Sequence, residues 1–435
     1  MPGVRLPSTS RLVSLGSPLL LSLAVSACGS SGDTDGSSGA TSKGAGGSGS
    51  ASASTGSDGT GGDGIFTVGD HPDPPQVVNL GGKVLTAPSV VPVFFQGDAN
   101  QADVVKFLGQ MAASPYWAAT TSEYGVGALT VKPAVAWSMT APASFSDTPL
   151  IAGLRANLTG TQPAWGTPDA NTIYLFVFPK GTTFLSDGTS CEDFDGYHDE
   201  TTVNGMKIAY AIATECDGFG APGVADFDEL TTTISHELIE ASTDPFPNSG
   251  PAFVQTDDAH AIWTVETDGE VADMCEFNPE AYAKLDGIDH FVQRIWSNAA
   301  AKKGANPCVP ALDGAYFSAD PVLTDNVDLN YYGQWATHGV KIPVGSSKTI
   351  DVQLWSSSAT KAWKVTAYDA ADYLGTGKKH LDLSWDKDTG SNGDTLHLTI
   401  KVLSADSSIS GEAFMIESDD STGKVGAQSW GFVAN

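Results

Sequence analysis

The spacing richest in chemistry is the pentapeptide His236-Glu237-Leu238-Ile239-Glu240. On a helix, residues four apart stand above one another on one face, so the His236 imidazole and the Glu240 carboxylate can grip one metal ion. Glu237 sits beside them, free to handle a proton. Two ligands are too few, because a catalytic zinc takes three protein ligands and keeps a position open for water. The third is expected from Gly269-Glu270-Val271-Ala272-Asp273, with Glu270 as the ligand. Asp273, one helical turn on, would orient His236 without touching the metal, as such centres commonly require. The two carboxylates can exchange these roles. Glu237 is then the general base that takes a proton from metal-activated water and returns it to the leaving group. One imidazole with two carboxylates is a hard, anionic donor set; zinc is expected, with manganese or calcium as alternatives.

Other residues carry weaker signals. His198, in the acidic run Asp193-Phe194-Asp195-Gly196-Tyr197-His198-Asp199, either approaches the metal and steadies an oxyanion or is an ordinary locally bonded histidine. His290 opens an expected strand and either contacts a transition state or caps that strand. His260 is weaker still. The acidic loops at Asp193 and Asp257-Asp258 lack the spacing of an EF-hand and read as solvated surface.

A helix within the stretch Asp226 to Pro245 must position the pentapeptide. Asp226 is the expected N-cap and Glu229 completes a capping-box pattern, while Pro245 and the restricted Asp244 before it stop the helix. Leu230, Ile234, Leu238 and Ala241 form an apolar stripe at helical period. Thr231, Thr232 and Thr233 oppose it, since three successive β-branched residues restrict side-chain torsions. Strands are expected at residues 90–95, 129–136, 171–179 and 206–214, and helices at 102–113, 116–123 and 149–158. Alternation of this kind predicts a layered α/β or α+β unit with a sheet against which the helix packs.

The N-terminal residues read as targeting. Arg5 and Arg11 precede an apolar run that ends at Val25-Ser26-Ala27-Cys28, a pattern like a bacterial lipobox, so Cys28 is the expected lipidation site; a plain secretory signal is the alternative. Residues 29–63 are almost entirely Gly, Ser, Ala, Thr and Asp, a composition that reads as a flexible tether. The chain is thus expected in the bacterial envelope, anchored by lipid, or secreted. Its net charge of −29, from 51 acidic against 22 basic residues, argues against nucleic acid as a partner. Cys191, Cys216, Cys275 and Cys308 remain, an even number that fits an oxidising compartment; local pairing, Cys191 with Cys216 and Cys275 with Cys308, is expected. No pair among them is C-x-x-C, which disfavours a cysteine zinc site.

Residues 64–310 form the expected main domain, and composition shifts at residues 311–435. There, about seven short alternating runs separated by Gly, Ser, Asn or Asp predict an antiparallel, all-β, immunoglobulin-like sandwich. It shows no catalytic pattern, so an accessory role is expected. Trp355, Trp363 and Trp430 are either core residues or a carbohydrate platform.

From residue 90 to residue 298 the chain resembles the phosphate-induced, EXORDIUM-like family of extracellular proteins and its bacterial relatives. The matching pieces are Cys191 with Gly196-Tyr197-His198, the run from Tyr210 to Cys216, and Ser235-His236-Glu237-Leu238 with Glu240-Ala241 and Asp244-Pro245. Gly269-Glu270 with Asp273 and Cys275, then Val292 with Trp296-Ser297, complete them. The resemblance implies an extracellular or wall-associated protein whose H-E-x-x-E looks like a zincin signature, hence a zincin-like mixed sheet with an active-site helix. The departure from common zincins is Glu240, where most have histidine. Two functions are expected in turn: an exported zinc metallohydrolase acting on an extracellular peptide or cell-surface polymer, or a non-catalytic surface-binding protein whose metal is structural.

Overall fold

A computed structural model describes residues 66–219, 223–331, 334–375, 378–405, 410–420 and 422–435. The expected leader, the Cys28 lipidation site and the tether lie outside them. Among the described residues no helix is long and apolar enough to cross a membrane.

The fold is mixed α+β, rich in sheet. The main sheet runs in the order Thr130–Val131, Ser89–Phe94, Thr172–Phe178, Met206–Thr214, Gly196–Val203, with a further short strand, Val135–Ala136, also paired to Ser89–Phe94. Neighbours are parallel except the last pair, an antiparallel hairpin at one edge. Thr172–Phe178 is buried along its whole length, as a central parallel strand covered on both faces must be. Its residues alternate between two cores. Ile173, Leu175 and Val177 face the same core as Leu230, Ile234 and Leu238 of the helix Asp226–Thr243. Tyr174, Phe176 and Phe178 face the other layer, with Leu150, Leu154 and Leu158 of the helix Asp147–Leu158. Ala209, Ala211 and Ala213 on the next strand are small and lie on the site-helix side.

The site helix is buried on every face from Glu229 to Thr243. Its threonine run is accommodated by hydroxyls that satisfy themselves locally: Thr231 and Thr232 donate to the carbonyl of Asp228, and Thr233 to that of Glu229. Such back-bonding supplies each hydroxyl with the partner that burial demands. The N-terminus differs from expectation. Ala225 occupies the cap position without a side-chain cap. Asp226 instead pairs with Lys180 and accepts from the Gly218 amide, and Glu229 accepts from the Tyr282 hydroxyl. Two elements lie outside the strands and helices expected above: a helix at Ala261–Thr267 and the edge strand Gly196–Val203. Both are too short or too polar to show a clear period.

Beyond residue 311 two sheets face each other. One has the order Phe317–Pro321, Ser347–Ser356, Thr395–Val402, Leu381–Trp385; the other runs Asp325–Asn330, Gln334–Lys341, Val425–Ala434, Gly411–Asp419, Trp363–Asp369, Thr389–Gly390. Among the described residues ten strands thus stand where about seven were expected. The first two, at residues 317–330, are rich in Asp and Asn and carry little apolar alternation. Trp355, Trp363 and Trp430 are all buried. Trp430, Phe432 and Met415 join the core that also holds Ile262 and Trp263.

Both expected disulfides are present, Cys191–Cys216 and Cys275–Cys308. Each ties down a segment that leads to the candidate site. The second closes a loop of 33 residues, for which chain entropy gives about 3–4 kcal/mol. Replacing Cys275 and Cys308 together by serine is expected to lower the thermal midpoint by several degrees in calorimetry. An unchanged midpoint would contradict this account of the cross-link.

Candidate metal centre

His236, Glu240 and Asp273 converge. The Nε2 atom of His236 lies 3.0 Å from Oε2 of Glu240 and 3.3 Å from Oδ1 of Asp273. These three donor atoms lie within 4.8 Å of one another. Tetrahedral bonds of about 2.0–2.2 Å place neighbouring ligand atoms roughly 3.3–3.6 Å apart, so the donor set fits a zinc-sized ion with little adjustment.

Each donor is held by another group. Gln293 donates through Nε2 to the carbonyl of Ala272, which leaves its Oε1 to accept from Nδ1 of His236 at 3.0 Å. That bond fixes the neutral ring with its proton on Nδ1 and turns Nε2 toward the other ligands. Glu240 Oε1 accepts from the amides of Ala272 and Asp273, which leaves Oε2 for the ion. Asp273 Oδ2 accepts from the amide of Glu270. This last bond rests on a left-handed turn at Asp268 and Gly269, with φ of 60° and 81°, a conformation that favours glycine at the second position.

Glu270, expected as a ligand to the same ion, faces His198 instead, with Oε2 at 3.7 Å from His198 Nδ1. His198 also lies 3.7 Å from Glu237 Oε2 and 3.8 Å from Glu240 Oε2. It is delivered by the edge strand, and its Nε2–H donates to the carbonyl of Asp244 at 3.1 Å. The strand comes this close because residue 196 is glycine. A Cβ there would stand 2.5 Å from the Thr233 side chain and 2.9 Å from that of Glu237. His290 lies elsewhere, bonded to Asp228 at 2.7 Å and set against Phe227. Asp228 precedes His236 by about 12 Å along the helix axis. His260 pairs with Asp257.

Sequence reasoning missed Asp244 and Gln293. Asp244 looked only like a helix terminator, yet it is wholly buried and close to His198 and Glu270. Gln293 sits on a short strand, Phe291–Gln293, against the site helix; a single glutamine in a strand carries no signal of its own.

The electrostatics follow from burial. Desolvation pushes Glu237 up to about 7 despite the histidines nearby. Desolvation and the charge of Glu240 push Asp273 up to about 6. Burial opposes ionisation of Glu240 as well, but the imidazole of His236 beside it holds that carboxyl down to about 2. For His198, burial lowers the pKa, but Glu237 and Glu240 outweigh it and push the ring up to about 9. Glu270 is driven well above the usual range by burial and by Glu240, Asp244 and Asp273.

A cavity of about 730 Å³ lies apart from this cluster, walled by Trp263, Trp296, Tyr316, Trp355 and Trp430. None of the residues named as donors lines it.

Gln293→Leu keeps the volume of the side chain but removes the acceptor from His236. It is expected to weaken divalent-ion affinity about 10–100-fold, measured by competition with a chromophoric chelator, with the circular dichroism spectrum retained. Ligand groups must be deprotonated to bind. Metal-free protein carries a proton on His236, where burial is outweighed by Glu240 and Asp273, whose carboxylates hold the ring well above its usual range. It also carries protons on Asp273 below pH about 6 and on His198 below about 9. Affinity is therefore expected to climb with pH across that interval, with protons released on binding, seen as calorimetric heats that change with the buffer. Affinity independent of pH would contradict this account of the centre.

No protein-family model matches the chain, and no curated protein matches it; the functional reading rests on the geometry of the centre.

Proposed function

We propose that the chain is an exported, lipid-anchored metallohydrolase, zinc-dependent and peptidase-like, with Glu237 as general base. The observation that carries the reading is Glu237 itself. It is 4% exposed, and its Oε2 has no hydrogen-bond partner. A buried carboxylate oxygen without a hydrogen bond costs roughly 1–3 kcal/mol, and the nearest cationic group, His198 Nδ1 at 3.7 Å, lies beyond hydrogen-bond reach. Beside a three-donor group it has a purpose, because a carboxyl near pH 7 can both accept and return a proton.

A divalent ion held by His236, Glu240 and Asp273 would supply Lewis acidity and acidify a water molecule. The rest is done by the protein. Gln293 and the amides of Ala272 and Asp273 fix the donors before substrate arrives. Glu237 accepts the proton of the attacking water and passes it to the leaving group. A zincin-like sheet is supported by the strand order, in which the one antiparallel strand lies at the edge and carries His198 beside the site helix. The EXORDIUM-like resemblance covers the same pieces, since Gly196, His198, His236, Glu237, Glu240, Glu270 and Asp273 all meet in this cluster. An immunoglobulin-like sandwich is supported by two facing sheets and by the parallel pairing of Val340–Lys341 with Val433–Ala434. Two disulfides support export, and the lipobox-like Cys28 supports anchoring.

Enclosure favours the second reading, a non-catalytic surface protein with a structural metal. His198, His236, Glu237 and Glu240 have side chains under 10% exposed, and Glu270 reaches only 15%. Assay of a peptide library separates the two. Glu237→Gln is expected to keep the metal and lose about 10²–10⁴-fold in rate, whereas His236→Ala is expected to lose both. Full activity in Glu237→Gln would sink the catalytic reading, and metal-loaded protein inert on all peptides would leave the structural one.

A further inference from the structure

Five carboxylates and two imidazoles meet around the site helix: Glu237, Glu240, Asp244, Glu270, Asp273, His198 and His236. One divalent ion meets only part of their charge: with neutral imidazoles and all five carboxylates ionised the cluster carries −5, and one ion leaves −3 to be met by protons or by a second cation. A second divalent ion leaves −1, a charge that one proton on Glu237 removes.

The donors are also sorted geometrically. Among the described residues, no set of mutually close donor atoms contains both imidazoles. His236 belongs with Glu240 and Asp273, whereas His198 belongs with Asp244 and Glu270 and, separately, with Glu237 and Glu240. Glu240 joins the sets, with its Oε2 3.0 Å from His236 Nε2 and 3.8 Å from His198 Nδ1. His198 is prepared as a ligand in the same way as His236. Its Nε2–H is committed to the carbonyl of Asp244, so Nδ1 faces the carboxylates with its lone pair when the ring is neutral. Asp244 supplies an independent sign of a missing partner. It is 0% exposed, its Oδ1 accepts from the Ala252 amide, and its Oδ2 has no hydrogen-bond partner. A wholly buried carboxylate oxygen beside an imidazole and a glutamate is a donor waiting for a cation.

We propose that the centre holds two divalent ions, the second bound by His198, Asp244 and Glu270, with Glu240 bridging the pair. The proposal rests on the metal-centre reading above and deepens it. Glu237 stays outside both ligand sets, and the second ion takes the position that a proton on His198 fills in its absence. The donors, one imidazole and otherwise carboxylates, suit zinc or manganese. Two ions held by these residues would together stabilise both the attacking and the leaving atom of a displacement.

The test is metal stoichiometry on the full exported chain. Protein stripped with chelator is titrated with Zn²⁺ and, separately, with Mn²⁺, then desalted and measured by elemental analysis and electron paramagnetic resonance. Two ions per chain are expected, with an exchange-coupled manganese spectrum. His198→Ala and Asp244→Asn are each expected to bind one ion and to show an isolated manganese signal. One ion in the wild type, or two in both variants, overturns the proposal while leaving the His236 centre in place; no ion at all overturns both. Should His198→Ala misfold by circular dichroism, Asp244→Asn and the coupled spectrum of the wild type still decide the question.

Discussion

Burying negative charge is the constraint on which this structure turns. A fully buried leucine or isoleucine contributes roughly 1.5–3 kcal/mol, and Leu230, Ile234, Leu238 and Ile239 supply four of these along the site helix. One uncompensated buried carboxylate costs several kcal/mol, and of the five carboxylates in the cluster Glu237, Glu240, Asp244 and Asp273 are buried and Glu270 partly so. The apolar side of the helix cannot offset such a cost alone. What makes the cluster tolerable is the set of donors around it: two imidazoles, the amides of Ala272 and Asp273 on Glu240, the amide of Glu270 on Asp273, and the amide of Ala252 on Asp244.

The surrounding fold is arranged to deliver those donors. The edge strand brings His198 down onto the helix across Gly196, at a distance no larger residue permits. The cross-link Cys191–Cys216 joins the loop before that strand to the residue just beyond the neighbouring strand Met206–Thr214. Cys275 lies in the same short helix, Asp273–Glu276, as the candidate donor Asp273 and is bonded to Cys308. Disulfides reduce the freedom of the unfolded chain, and here both also restrain segments whose fold alone is short and weakly periodic.

Much of this was legible in the sequence. The helix, the pairing of His236 with Glu240, the buried strand Thr172–Phe178 and the local disulfides follow from period, spacing and cysteine number. Other parts were hidden for physical reasons. Choosing between Glu270 and Asp273 depends on a left-handed turn at Asp268-Gly269 that rotates one carboxylate toward His236 and the other toward His198. Three residues separate them, and spacing alone leaves their roles exchangeable. The edge strand Gly196–Val203 reads as an acidic loop because both faces carry polar residues: His198 turns toward the carboxylates around the site helix, and Asp199, on the opposite face, accepts from the Tyr210 hydroxyl. Asp226 has the residue type of a helix cap but is drawn away by Lys180, a contact 46 residues distant in sequence.

Enclosure and reactivity pull the centre in different directions. A site made only for stability is best served by closing every polar atom, and most of the cluster is closed in that way. Glu237 breaks the pattern. It stands on the helix beside His198 and Glu240, desolvation pushes its carboxyl up to about 7, and its Oε2 has no hydrogen-bond partner, with His198 Nδ1 3.7 Å away. Replacing it with an apolar residue would remove a buried carboxylate at no loss of metal ligands. Glutamate at this position is therefore a cost to stability, and the proposed proton transfer beside a bound ion is a chemistry that would account for it.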